Sequence, residues 1–98
     1  MDFTESEKIR WKWHRMVYKL TSGNALHVEF KEQLVIMGVE SLVLGLNHVE
    51  TKREYGVSLR TASYYRNLCM KNWDTVYTLY KDLVRIGDDR VIGGPFKK

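Results

Sequence analysis

The side chains of this 98-residue chain that could do chemistry are few, and their spacing argues against catalysis. His14, His27 and His48 lie in three different segments, with no HxxxH-like pairing to set two imidazoles on one metal. Cys69 is the single cysteine. No histidine or carboxylate close in sequence would activate it as a nucleophile, so it reads as a small, half-buried packing residue. One cysteine also excludes an intramolecular disulfide and a cysteine-rich zinc site. The glycines are scattered and form no phosphate-cradling loop. No enzyme activity, metal, cofactor or small-molecule substrate is expected. Chemistry of another kind is concentrated between residues 50 and 71, where cations stand beside side chains able to hydrogen-bond base edges. Ser58, Arg60, Thr61, Ser63, Tyr64 and Asn67 are the candidate base contacts, with Arg60 suited to a bidentate contact with guanine. Lys52, Arg53, Arg66 and Lys71 are the candidate phosphate contacts. The net charge of +4 and the pI of about 9.3 favour a polyanionic partner.

These residues need a scaffold, and the local signals supply one. Asn47-His-Val-Glu50 reads as a capping box opening a short helix to about Tyr55. Gly56 follows, able to take a positive φ. Ser58 caps a second helix from Leu59 to about Lys71. A short helix, a glycine-led turn and a second helix make a helix-turn-helix over about 47–71. Val57, Ala62, Tyr65 and Leu68 fall inward; Arg60, Thr61, Ser63, Tyr64 and Asn67 fall outward. The fourth and fifth places of such a motif usually hold an aliphatic and a small residue, and here they are Thr51 and Lys52. Either the first helix is rotated, or Lys52 snorkels toward the phosphate backbone.

The flanks read as helices too, so the expected fold is all-α: one small domain over 1–87 with the motif at its centre. Thr4-Glu-Ser-Glu7 is a capping box, and Ile9, Trp13, Met16 and Leu20 form a helical stripe that Gly23 would end. Alternation at Ile9–Trp13 leaves a short strand open. A second helix capped by Asn24 would bury Leu26, Phe30, Leu34 and Met37, with Gly38 bending or dividing it. A last helix from about Asp74 to Ile86 would turn Trp73, Val76, Tyr77, Tyr80, Leu83 and Val84 inward, and Gly87 would stop it. Residues 88–98 read as a loose basic tail. Hydrophobic residues at 44% and charged residues at 29% fit a globular chain. The longest apolar run, LVIMGVESLVLGL, is broken by Glu40 and too short to span a bilayer. The acidic N-terminus does not resemble a signal peptide, and with no disulfide this points to the cytoplasm. The aromatics Trp11, Trp13, Tyr18, Trp73, Tyr77 and Tyr80 are candidate oligomerisation residues. The interleaved stretch KIRWKWHRMVYK admits other readings: a packing helix, a phosphate- or base-gripping segment, or a membrane-surface helix.

Across Leu42–Leu83 the chain resembles the PapB-type regulators of fimbrial operons. The matching pieces are LVLGLN, Glu50, Val57–Ser58, Ser63 and the TVYTL of Thr75–Leu79, at matching spacing without a gap. The same block also looks like the KorA-type plasmid repressors. The resemblance covers less than half the chain. It implies an all-α, double-stranded-DNA-binding transcriptional regulator acting as a dimer or higher oligomer. PapB-type proteins coat repeated AT-rich sites, whereas KorA-type proteins read a palindrome. The chain departs from the PapB pattern in the composition and length of Lys31–Ser41, and in His48 and Lys52, where arginine and cysteine are usual. The competing expectation is a protein-interaction module on a degenerate helix-turn-helix scaffold.

Overall fold

The computed structural model describes residues 3–21 and 28–93, and all of the regular structure among them is helical. In chain order the elements are α1 (Glu5–Leu20), α2 (Val28–Val43), α3 (His48–Tyr55), α4 (Leu59–Lys71), α5 (Trp73–Arg85) and α6 (Asp89–Gly93). The expectations placed on Gly23, Asn24 and Leu26 lie outside the described residues.

Local chemistry sets the first helix. The Thr4 hydroxyl oxygen accepts the Glu7 N–H at 3.2 Å, while Glu7 Oε1 accepts the Thr4 N–H at 3.1 Å. Two of the unpaired N–H groups at the helix start are thereby satisfied. Ile9, Trp13, Met16 and Val17 then form one buried line, so the helical period overrides the alternation at Ile9–Trp13. α1 and α5 run antiparallel. Arg85 Nη1 meets Glu5 Oε1 at 2.8 Å at one end, and Leu20 and Thr75 line a common groove at the other.

α2 is the hub, and residues Leu34 to Ser41 are buried on every side of it. Its closest neighbour is α4. Gly38 does not divide the helix. A Cβ there would lie 2.7 Å from Cys69 Sγ and 2.7 Å from the Tyr65 carbonyl oxygen, so glycine lets the two backbones approach. Two expected core positions differ. Phe30 keeps 55% exposure, because the enclosed part of α2 begins at about Glu32 rather than a turn earlier. Val84 is also exposed, since α5 buries Val76 and Leu83 most deeply.

Two buried polar clusters tie distant segments together. Glu40 accepts hydrogen bonds from the hydroxyls of Tyr55 at 3.1 Å and Tyr80 at 3.3 Å, linking α2 to α3 and α5. Burial, then the Glu40 charge, push the Tyr80 hydroxyl up to about 12 and raise Tyr55 as well, so both donate as neutral groups. The second cluster corrects the domain boundary. Residues just after Gly87 are not a loose tail: Asp88 is buried, and Arg90 grips it through Nε at 3.0 Å and Nη2 at 3.1 Å. Arg90 Nη1 reaches Glu32 at 3.0 Å, Arg10 Nε reaches Asp88 at 3.2 Å, and Val91 joins the core. The folded unit therefore extends through α6, and residues 94–98 of the expected tail lie outside the described residues.

Candidate nucleic-acid interface

The centre of the chain is built by its caps. Asn47 Oδ1 accepts the Glu50 N–H at 2.8 Å, and Glu50 Oε1 accepts the Asn47 N–H at 3.0 Å. α3 ends at Gly56, whose φ of 69° is left-handed and whose N–H closes on the Lys52 carbonyl. An L side chain at that φ is strained, which is why glycine turns the chain here. Ser58 then caps α4, its hydroxyl oxygen accepting the Thr61 N–H at 3.1 Å.

α4 has two opposed faces. Ala62, Tyr65 and Cys69 are buried. Arg60, Tyr64, Asn67 and Lys71, at intervals of four, three and four residues, are all exposed on the other side. Ser63 and Thr61 are half-buried at the margins of that row. Ser58 is exposed, but its hydroxyl is engaged: besides capping, it donates to Thr61 Oγ1 at 2.9 Å. That use competes with the expected base contact, so Arg60, Tyr64 and Asn67 are the freer groups. Tyr64 stands edge-on to Tyr65, with ring centroids 4.9 Å apart, which limits its movement.

The expected phosphate contacts surround this row. Thr51 is buried and its hydroxyl donates to the Asn47 carbonyl at 2.8 Å, so the helix crossing is filled without an aliphatic residue. Thr51 and Tyr55 form the inward line of α3, and Lys52 points to solvent beside exposed Arg53. Lys71 is exposed at the end of α4. Arg66 departs from the expectation of a freely exposed cation: it is half-buried, and its Nε is buried without a hydrogen-bond partner. Among the described residues, Lys52, Arg53, Arg60, Arg66 and Lys71 take part in no ion pair. Arg10, Arg85 and Arg90, by contrast, are all neutralised within the fold. Unpaired cations thus stand on α3 and α4, where exposed Glu50 and Glu54 of α3 offset Lys52 and Arg53 and α4 carries no carboxylate.

The aromatics divide. Trp13 has 0% exposure and belongs to the core of its own chain, so its assignment to an oligomer surface is corrected: no surface is left for a partner. Trp73, Tyr77 and Tyr80 are half-buried and stack along α5, with centroids 4.7 and 6.4 Å apart. Only their outer edges are available. Trp11, at 60% exposure, and Tyr18 remain on the surface. Cys69 is fully buried; its Sγ donates to the Val35 carbonyl at 3.4 Å, and burial pushes the thiol up to about 12. It packs α4 onto α2. Among the described residues no group of histidine, cysteine and carboxylate side chains is arranged to hold a metal ion, and no helix is long and apolar enough to cross a membrane.

The roles of Gly38 and Glu40, which position α4 and α3, are set by partners distant in the sequence. Their signal was a glycine and a carboxylate inside an otherwise apolar run. No protein-family model, curated protein or solved structure matches the chain.

Proposed function

We propose that the chain is a transcriptional regulator that binds double-stranded DNA, with α3 and α4 acting as a helix-turn-helix and the outer row of α4 facing the major groove. One observation carries this reading. Arg60, Tyr64, Asn67 and Lys71 stand in a single exposed row on a helix fixed from behind by Gly38, flanked by cations that form no ion pair within the fold. Charged groups held free of internal partners suit a phosphate backbone, and an arginine early in the helix suits a base edge. The resemblance of Leu42–Leu83 to PapB-type regulators supports the same reading, and adds action as a dimer or oligomer. Of the candidate oligomerisation aromatics, Trp11 and Tyr18 are the exposed ones.

A fluorescence-anisotropy titration against random and AT-rich duplexes at two salt concentrations tests the class. Binding that weakens by orders of magnitude from low to moderate salt is expected, because several phosphates must release counterions. Absence of binding to both duplexes at low salt would overturn the reading. A protein-interaction module is the second reading, and the exposure of Trp11, Phe30 and Leu44 favours it. A partner held by such anchors would dissociate far less with salt.

A further inference from the structure

The uncompensated charge does not stop at α4. Lys8, Lys12, Arg15 and Lys19 recur on α1 at intervals of four, three and four residues, the spacing of the outer row of α4. All four are exposed, and among the described residues none forms an ion pair. The acidic residues of α1 are engaged elsewhere. Glu7 closes the capping box with Thr4, and Glu5 is held by Arg85. The row is therefore a cationic stripe about 17 Å long, from eleven residues at about 1.5 Å each.

Its position links it to α4. Lys12, Arg15 and Lys19 border a groove floored by Met16 and Leu20 and closed by Thr75 at the start of α5. Thr75 also borders the next hollow, formed by residues 70–75. Lys71 lines that hollow and a third one with Asn67 and Met70. The surface is thus continuous from the outer row of α4, around the start of α5, to the row on α1. The carboxylate on this path is Asp74, against Lys71, Lys12, Arg15 and Lys19.

We propose that Lys8, Lys12, Arg15 and Lys19 form a second phosphate track for the same duplex that α4 contacts, joined to it through Lys71. This rests on the DNA-binding reading. Phosphates along one DNA strand rise about 3.4 Å each along the helix axis while the strand winds around it, so a stripe of about 17 Å can meet only a few of them. Three of the four cations are lysines, compact point charges on flexible stems, which grip phosphates without reading bases. The track lengthens the contact beyond what α3 and α4 alone supply and adds affinity irrespective of sequence.

The test compares salt slopes of duplex binding by anisotropy for four proteins. These are the native chain, Lys12→Gln/Arg15→Gln/Lys19→Gln, Lys52→Gln/Lys71→Gln, and Lys31→Gln/Lys81→Gln as a charge control at lysines that line none of these hollows. Circular dichroism melts confirm that each is folded. Each lost phosphate contact lowers the slope by about 0.9, so the α1 variant should lose roughly 2–3, or on the order of 100-fold in affinity at 0.15 M salt. Its preference between duplexes should be unchanged. A slope for the α1 variant no lower than that of the control, with the Lys52/Lys71 variant reduced, overturns the α1 track and leaves the DNA-binding reading standing. No duplex binding by the native chain, or binding to anionic vesicles alone, overturns both.

Discussion

At the scale of the residue, Arg60 carries the most specific expectation of the proposed DNA contact. It is exposed on the first turn of α4 and free of internal partners, with Tyr64 one turn behind it. Arg60→Ala should cost about 1–3 kcal/mol of binding to a preferred site and relax base preference. Competition anisotropy with base-substituted duplexes measures this. Unchanged affinity and preference would mean that α4 meets DNA through another face. Burial distinguishes neighbours that composition treats alike. Trp11 and Trp13 are two residues apart, yet one is 60% exposed and the other enclosed. The helical stripe placed Trp13 with Ile9 and Met16, on the side that turned out to be core. Assigning it also to a partner surface asked one side chain to serve two faces. Ser58 is similar: its type suits a base contact, but the hydroxyl is taken up by Thr61.

At the scale of the element, what depends on near neighbours in the chain was legible beforehand. The boxes at Thr4–Glu7 and Asn47–Glu50, the turn at Gly56 and the cap at Ser58 involve partners three or four residues apart, so residue types reveal them. What depends on distant partners was not. Gly38 looked like a weak point in α2, but its role is set by Tyr65 and Cys69, about thirty residues on. Gly38→Ala should destabilise the protein by about 1–3 kcal/mol, because the added carbon meets a backbone carbonyl that no rotamer change can move. Since it also pushes α4 outward, DNA affinity should fall more than for an equally destabilising change at Val91 in α6. Thermal melts and anisotropy on the same variants check both statements. Wild-type stability in Gly38→Ala would show that α2 and α4 are farther apart than described.

At the scale of the whole molecule, the domain is closed by α6, which composition alone presents as a tail. The GGP sequence and the terminal lysines resemble a disordered end, and nothing local shows that Arg90 will find Glu32, fifty-eight residues earlier. Arg90→Ala should cost roughly 2–3 kcal/mol, less than the ~3–5 of a fully buried pair because Arg90 retains 22% exposure. Urea denaturation measures it. The same cluster gives a pH dependence. Burial opposes the Asp88 charge, but the hydrogen bonds and charge of Arg90, with Arg10, outweigh it and hold the carboxyl below its ordinary range. The stabilisation is full above the unfolded value of about 3.9 and is lost as pH falls through the lower folded value. Native protein should therefore lose stability steeply below about pH 4, and Asp88→Asn, less stable at neutral pH, should show a flatter acid limb. Equal acid limbs would remove Asp88 from the linkage. The proposed contact of this cationic, all-α molecule with duplex DNA runs through the outer row of α4. The most direct measurement is a two-dimensional amide NMR titration with a short duplex. The largest shifts should fall on residues 58–71 and on Lys52–Arg53. Shifts confined to the α2–α6 side around Glu32 and Arg90, or no shifts at low salt, would contradict that contact.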